Sequence, residues 1–63
     1  MTSQLTPAQQ RIADLLISGA TNKTIAARLG LAPNTIKKQL ELMYARMGVA
    51  NRTEAAVRLS SHP

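Results

Sequence analysis

The residues best suited to chemistry lie in one polar stretch in the second half of the 63-residue chain. Asn34, Lys37, Lys38 and Glu41 are three and four residues apart, so a helix would carry them on one side. Ammonium and amide groups donate hydrogen bonds to anions and base edges, whereas a carboxylate accepts them. The pattern therefore favours binding over catalysis.

The composition supports a binding role for a polyanion. Eight Lys and Arg against three Asp and Glu give a formal charge of +5 and a pI near 10.9. With one His, His62, no Cys and no Gly-rich phosphate loop, the sequence predicts neither an enzyme nor a metal or cofactor site. Tyr44 is the only aromatic residue, which argues against the stacking surfaces of single-strand binders.

Apolar patterning points to a folded domain away from membranes. Hydrophobic residues make up 44% of the chain, yet no apolar run approaches the roughly 20 residues of a membrane span. Residues 1–4 carry no signal-peptide pattern. The lack of Cys fits a reducing compartment, so we expect a single domain, 1–63, in the cytoplasm and not at a membrane.

Four helices are predicted to position the polar stretch, with no strand alternation anywhere, so the fold class is all-α. Thr or Asn caps and Pro at first positions mark the starts, and Gly marks most of the ends. Asn51-Arg52-Thr53-Glu54 has the form of a capping box at the start of the last helix. The predicted ranges are 7–18, 22–29, 33–47 and 52–60, followed by a frayed tail to residue 63. The residues predicted to face the core are Ile12, Leu15, Leu16, Ile25, Ala26, Leu29, Ile36, Leu40, Met43 and Met47.

Only residues 30–32 connect the second and third helices, which favours a steep crossing and a helix-turn-helix over about 22–47. Gly30 would supply a positive φ, and Leu31 would fill the inner corner. The lysine pair then lies opposite the apolar stripe, where a major groove could receive it. The alternative is an ordinary helical hairpin whose lysines face only solvent.

The sequence resembles the LuxR-type (LuxR/FixJ/NarL) helix-turn-helix domain over about residues 5–59, without gaps. The residues that carry the resemblance are Leu5-Thr6-Pro7, Gly19, Thr21-Asn22-Lys23, Ile25-Ala26, Arg28-Leu29, Thr35-Ile36-Lys37, Met47-Gly48-Val49 and Asn51-Arg52-Thr53-Glu54-Ala55. The resemblance implies a four-helix, LuxR/GerE-like effector domain of a bacterial transcription regulator. It also implies that the helix over 33–47 enters the major groove of double-stranded DNA.

By this resemblance Lys37 faces DNA, while Lys38 and Glu41 help to select the sequence. Phosphate contacts are expected from residues at helix starts, with further contacts from two flanking arginines. The full set of predicted DNA-binding residues is Asn22, Lys23, Asn34, Thr35, Lys37, Lys38, Glu41, Arg46 and Arg52. An intramolecular surface pair is an equal alternative for Arg46.

The last helix is the family's usual dimerisation element, so the resemblance implies a homodimer on DNA. The predicted dimerisation residues are Ala55, Ala56, Val57 and Leu59. Alternatively, Val57 and Leu59 only close the domain's own core. RNA polymerase is a further candidate partner. The resemblance also implies an N-terminal receiver or ligand-binding domain, as in a response regulator, that this chain lacks; we interpret the chain as an excised domain, with a free-standing regulator as the alternative.

Several positions depart from the family pattern. Ala8-Gln9 replaces Arg-Glu, Thr24 replaces Glu, Ala32 replaces a capping Ser or Thr, and Gln39 replaces His. None of these lies on the groove-facing side, so we expect them to affect stability. A helix-turn-helix that binds a protein instead of DNA remains the alternative function. Capped, Gly-terminated helices argue against a third reading, a membrane-active peptide.

Overall fold

The computed structural model describes residues 5–61 and contains, within that range, four α-helices and no strand. These are α1 Pro7–Ile17, α2 Asn22–Leu29, α3 Pro33–Met47 and α4 Arg52–Ser60. The all-α prediction is confirmed, as are the predicted ranges of α2, α3 and α4. Residues 1–4, the end of the predicted tail and His62 lie outside the described residues.

A reciprocal capping box starts α1. The Thr6 hydroxyl accepts the Gln9 N–H at 3.1 Å, and the Gln9 side chain accepts the Thr6 N–H at 3.2 Å. The helix ends at Ile17, one residue before the predicted end. Ser18 is the C-cap residue, and the Ser18 hydroxyl donates to the Leu15 carbonyl at 2.7 Å.

The turn between α2 and α3 has the predicted left-handed glycine. Gly30 has φ +69° and ψ +34°, and the Leu31 N–H closes the helix end by donating to the Ala26 carbonyl at 2.9 Å. The side chain of Leu31 was expected inside the corner, but 43% of it is exposed. That prediction was wrong because the backbone bond that ends α2 leaves the side chain outside the packed corner.

The start of α4 differs from the predicted capping box. Asn51 Oδ1 accepts the Glu54 N–H at 2.9 Å, as expected. The Glu54 carboxylate accepts the N–H of Ala50 at 2.9 Å, and not that of the cap residue. The carboxylate therefore ties down the loop before α4, one residue earlier than the sequence pattern predicted.

The core is built around α1 and α3, each of which contacts the other three helices. Its largest fully buried side chains are Ile12, Ile25, Ile36 and Met43. Burial of each contributes about 1.5–3 kcal/mol, which is a large share of the stability of so small a domain. The complete buried apolar set is Ile12, Ala13, Leu16, Ile25, Ala26, Ile36, Leu40, Met43 and Ala55. Most of it was predicted; Leu15, Leu29 and Met47 are only partly buried.

Candidate nucleic-acid interface

One side of α3 is fixed in the core and the opposite side is open. Ile36 and Met43 are fully buried and Leu40 nearly so, which sets the rotation of the helix about its axis. The predicted DNA-binding residues in the part of α3 up to Glu41 all lie on the open side, and each is exposed: Asn34, Thr35, Lys37, Lys38 and Glu41. We call this set the reading face. Core packing therefore determines which side chains α3 offers to a partner.

The charges of the reading face have no partner among the residues that the structure describes. Among residues 5–61, no hydrogen bond or ion pair engages the side chains of Lys37, Lys38 or Glu41. Asp14 and Glu54, the other two acids, each accept a hydrogen bond elsewhere. The reading face thus offers two unpaired ammonium groups and one unpaired carboxylate to a ligand.

The start of α3 is also left open. Its N-cap residue, Ala32, makes no side-chain hydrogen bond to the first turn, as the sequence predicted. Pro33 at the first helical position has no N–H to satisfy. The first turn of α3 therefore combines the positive end of the helix dipole with the exposed hydroxyl of Thr35.

The start of α2 brings two more predicted residues to the surface. Thr21 caps the helix by accepting the Thr24 N–H at 3.1 Å, and Lys23 is exposed in the first turn without a side-chain partner in the described region. Asn22 is half-buried, and its Oδ1 accepts a hydrogen bond from Arg52 at 2.8 Å. Because the oxygen is occupied, the end of Asn22 left for a ligand is the NH2 donor.

Arg52 was predicted as a phosphate contact, and the structure gives it an internal role. From the first position of α4, its Nη1 donates to Asn22 and its Nη2 donates to the Ala20 carbonyl. The half-buried guanidinium therefore joins α4 to the segment that enters α2. The sequence did not indicate this contact, because 30 residues separate Arg52 from Asn22.

Tyr44 lies close to this arginine. Partial burial raises the pKa of the Tyr44 phenol above its ordinary value of 10.0, and the nearby positive charge of Arg52 opposes part of that rise. The phenol therefore stays neutral at physiological pH. The other predicted arginine contact, Arg46, is exposed in the last turn of α3 and already has an interaction within the chain.

A second internal link, also missed, joins α1 to α3. Gln9, which is only 4% exposed, donates from Nε2 to Gln39 Oε1 at 3.0 Å. These two residues are both departures from the family pattern, at positions 30 apart. Two neutral amides thus pair with each other, and that complementarity was the signal available in the sequence.

The predicted dimerisation residues divide by exposure. Ala55 is fully buried in the domain's own core, so it offers no surface to a second copy. Ala56 and Leu59 are half-buried, while Val57 is 63% exposed. Val57 also borders a shallow groove lined by Val49, Thr53, Glu54, Val57, Arg58 and Ser61.

Neither a metal site nor a membrane-spanning helix is present in residues 5–61. No group of three or more His, Cys, Asp or Glu side chains is placed there to hold a metal ion. None of the helices in this range is both long and apolar enough to cross a membrane.

Comparison with known proteins identifies the family. The family described as "Bacterial regulatory proteins, luxR family" matches residues 3–59. The chain is 42% identical over 55 residues to the DNA-binding transcriptional activator DevR/DosR of Mycobacterium tuberculosis, a match that covers 87% of this chain and 25% of that protein. It is 39% identical over 56 residues to the HTH-type transcriptional regulator MalT of Vibrio campbellii, covering 89% of this chain and 6% of MalT.

MalT of Serratia proteamaculans is 41% identical over 54 residues, covering 86% of this chain and 6% of that protein. The chain thus spans a quarter or less of the length of these curated relatives. No solved structure matches it. With a family match over nearly all of its residues and the four-helix fold that this family resemblance implied, the chain belongs to the luxR family of bacterial regulatory proteins.

Proposed function

We propose that this chain binds double-stranded DNA in a sequence-specific manner, as the effector domain of a transcription regulator, with α3 in the major groove. The observation that carries the proposal is the reading face itself. Lys37 and Lys38 are exposed, and unpaired within residues 5–61, on a helix whose opposite side is buried in the core. A rigid helix with unpaired donors near its N-terminal end suits the edges of base pairs.

The reading face can distinguish bases by chemistry. Either lysine can donate to guanine O6 and N7, and Asn34 can pair with adenine through its amide. Glu41 can accept from the N4 amino group of cytosine, and phosphates repel it elsewhere. Because Glu41 has no partner in the described part of the chain, we assign it to sequence selection instead of to helix stability.

Phosphate contacts come from the edges of the reading face. Lys23 offers an unpaired ammonium at the start of α2, and Thr35 offers a hydroxyl in the first turn of α3. The free NH2 end of Asn22 is a donor held in place by Arg52. We therefore assign Arg52 to positioning, and we retain Arg46 as a flanking phosphate contact at the far end of α3.

Two copies pair on DNA through α4 in our proposal. Val57 is the most exposed large apolar side chain of the described region, and Ala56 and Leu59 flank it with partly exposed surface. A patch this small supports pairing on a shared duplex and not a stable free dimer. Val57→Glu should abolish cooperative binding to paired half-sites but leave binding to a single half-site unchanged; the control is Arg11→Ala, which lowers the net charge by the same amount on the exposed side of α1.

The names of the relatives suggest the process in which the chain takes part. The DevR/DosR relative is named as a transcriptional activator, and the MalT relatives as transcriptional regulators. We propose that the chain works in the same process in the bacterial cytoplasm, under the control of a further domain and with RNA polymerase as a partner. The relatives are long enough to contain such a domain, since the chain matches a quarter or less of the length of each of these three.

Selection of bound duplexes from a random pool, followed by fluorescence anisotropy, tests the proposal. Lys37→Ala should reduce the preference for the selected sequence over a mixed-sequence duplex by about tenfold, because a specific base contact is lost. Arg11→Ala removes the same charge from the exposed side of α1 and should leave that preference unchanged. If the wild type binds no duplex even at low salt, the DNA assignment fails and a protein-binding helix-turn-helix replaces it.

A further inference from the structure

Gln9 is the one polar residue that is buried within residues 5–61, and both ends of its amide are in use. Its Oε1 accepts the backbone N–H of Thr6 at 3.2 Å, and its Nε2 donates to Oε1 of Gln39 at 3.0 Å. Three residues therefore form a chain of hydrogen bonds from the start of α1 to the second turn of α3.

The direction of this chain is fixed at one end. A backbone N–H can only donate, so the atom of Gln9 that faces Thr6 must be the oxygen. The other end of Gln9 is then an NH2 group, and the atom of Gln39 that it meets must also be an oxygen. The orientation of both amides therefore follows from the Thr6 N–H.

The free end of Gln39 is consequently a donor. No buried side-chain nitrogen or oxygen in the described region lacks a partner, and Gln39 Nε2 has none, so this nitrogen reaches the surface. Gln39 follows Thr35 by four residues and lies beside it on α3, at the edge of the reading face. An NH2 group at that edge faces the region where the proposed complex places the DNA backbone.

We propose that Gln39 donates a hydrogen bond to a DNA phosphate, and that Gln9 is a positioning residue that keeps this donor end outward. The inference rests on the proposed function, since it requires α3 in the major groove. A phosphate oxygen only accepts hydrogen bonds, so an outward NH2 binds it and an outward amide oxygen repels it. The two departures from the family pattern, Gln9 and Gln39, thus act together on affinity.

The first test removes the donor. Gln39→Met should weaken binding to a mixed-sequence duplex about fivefold at every salt concentration, because one neutral donor is lost and no counterion-releasing charge is removed. Gln39→Glu keeps an acceptor for Gln9 Nε2 and replaces the outward donor by a carboxylate oxygen, so its loss should be larger. Circular dichroism at the assay temperature verifies that each variant is folded.

The second test reverses the orientation of the Gln39 amide without a substitution at Gln39 itself. Gln9→Glu retains an oxygen for the Thr6 N–H but presents a second oxygen to Gln39. Gln39 must then turn its NH2 inward and its oxygen outward, and we expect about fivefold weaker DNA binding. In the Gln39→Met background the same change should weaken binding by less than about twofold, because no donor remains to be reversed.

The double-mutant comparison separates this mechanism from simple charge repulsion or loss of stability. An equal effect of Gln9→Glu with and without Gln39 would overturn the positioning role. Wild-type affinity in Gln39→Met would overturn the phosphate contact, while the proposed DNA binding would still stand. A wild-type domain that binds no duplex would overturn the proposed function and this inference with it.

Discussion

The lysines of α2 and α3 and the arginines of α4 carry the same charge in different surroundings. Lys23, Lys37 and Lys38 are exposed and have no side-chain partner within residues 5–61. Arg52 binds Asn22 and the Ala20 carbonyl, and Arg58 binds the Met47 carbonyl at 2.9 Å. The first group is therefore available to a ligand, whereas the second holds helices together.

This difference explains how a small basic domain can hold a rigid reading surface. A charge that ties two helices together is held by its partners, whereas an exposed lysine without one keeps its freedom to reach a ligand. Arginine suits the linking role because its planar guanidinium can donate to two acceptors at once. Lysine suits phosphate and base edges because its ammonium is a compact charge on a flexible stem.

Among the arginines that link the helices, Arg52→Met is expected to have the largest effect on stability. The change removes two hydrogen bonds from a charged, half-buried group but keeps much of its apolar stem. We expect unfolding to become easier by about 2 kcal/mol, with a melting temperature lower by about 10 °C. The salt dependence of DNA binding by the folded variant should stay unchanged; a slope reduced by one charge would instead place Arg52 on the DNA.

Lys23→Ala is the corresponding change among the lysines that we propose to bind DNA. We expect about fivefold weaker binding to any duplex at low salt and a salt-dependence slope smaller by about one. The free energy of unfolding should barely change, since Lys23 is exposed and has no partner in the described region. Anisotropy titrations at several salt concentrations and thermal melts of the same variant measure both quantities. A marked loss of stability would remove the distinction between the two regions.

The sequence predicted the helices well because the signals for their ends are local. Thr21, Gly30, Asn51 and Gly48 each fix a boundary through their own backbone or a neighbour's N–H. The reading face followed from the spacing of apolar residues on α3, which requires only that one side of the helix be buried. The DNA contacts assigned to that face stay predictions.

The internal links could not be predicted in the same way. The Arg52–Asn22 and Gln9–Gln39 bonds each join residues 30 apart, and a helical wheel contains no information about such pairs. Arg58 likewise caps the end of α3 from a position 11 residues further along the chain. Which basic residues link helices becomes clear only when the helices are placed against one another.

A smaller effect is expected from Arg58→Met. Its guanidinium donates to the last carbonyl of α3 from an exposed position, so water can replace the bond at little cost. We expect a loss of about 0.5 kcal/mol in unfolding free energy. Arg11→Met, which removes an exposed charge without a partner in the described region, is the matched control. Equal stability of the two variants would show that the Arg58 bond contributes nothing.

The smallest effect concerns Tyr44, beside Arg52. Since burial raises the pKa of its phenol above 10.0, the folded state keeps its proton at a pH where the unfolded state has lost it. This contribution to stability is complete below about pH 10 and is lost as the pH rises through the folded-state pKa. Tyr44→Phe should therefore make the stability less sensitive to pH above about 10, because the group that titrates there is removed.

Ultraviolet absorbance can follow this titration directly, because the sequence contains one Tyr and no Trp. The midpoint of the folded domain should lie above the ordinary tyrosine value and return to it in denaturant. Arg52→Met should move the folded midpoint further upward, since it removes the charge that opposes the effect of burial. Lys23→Ala, by contrast, removes a charge that has no part in the Tyr44 shift and should leave the midpoint in place. An unchanged midpoint in both variants would mean that the Arg52 charge lies too far from Tyr44 to affect the pKa of its phenol. Tyr44 of α3 would then not belong with the arginines that link the helices.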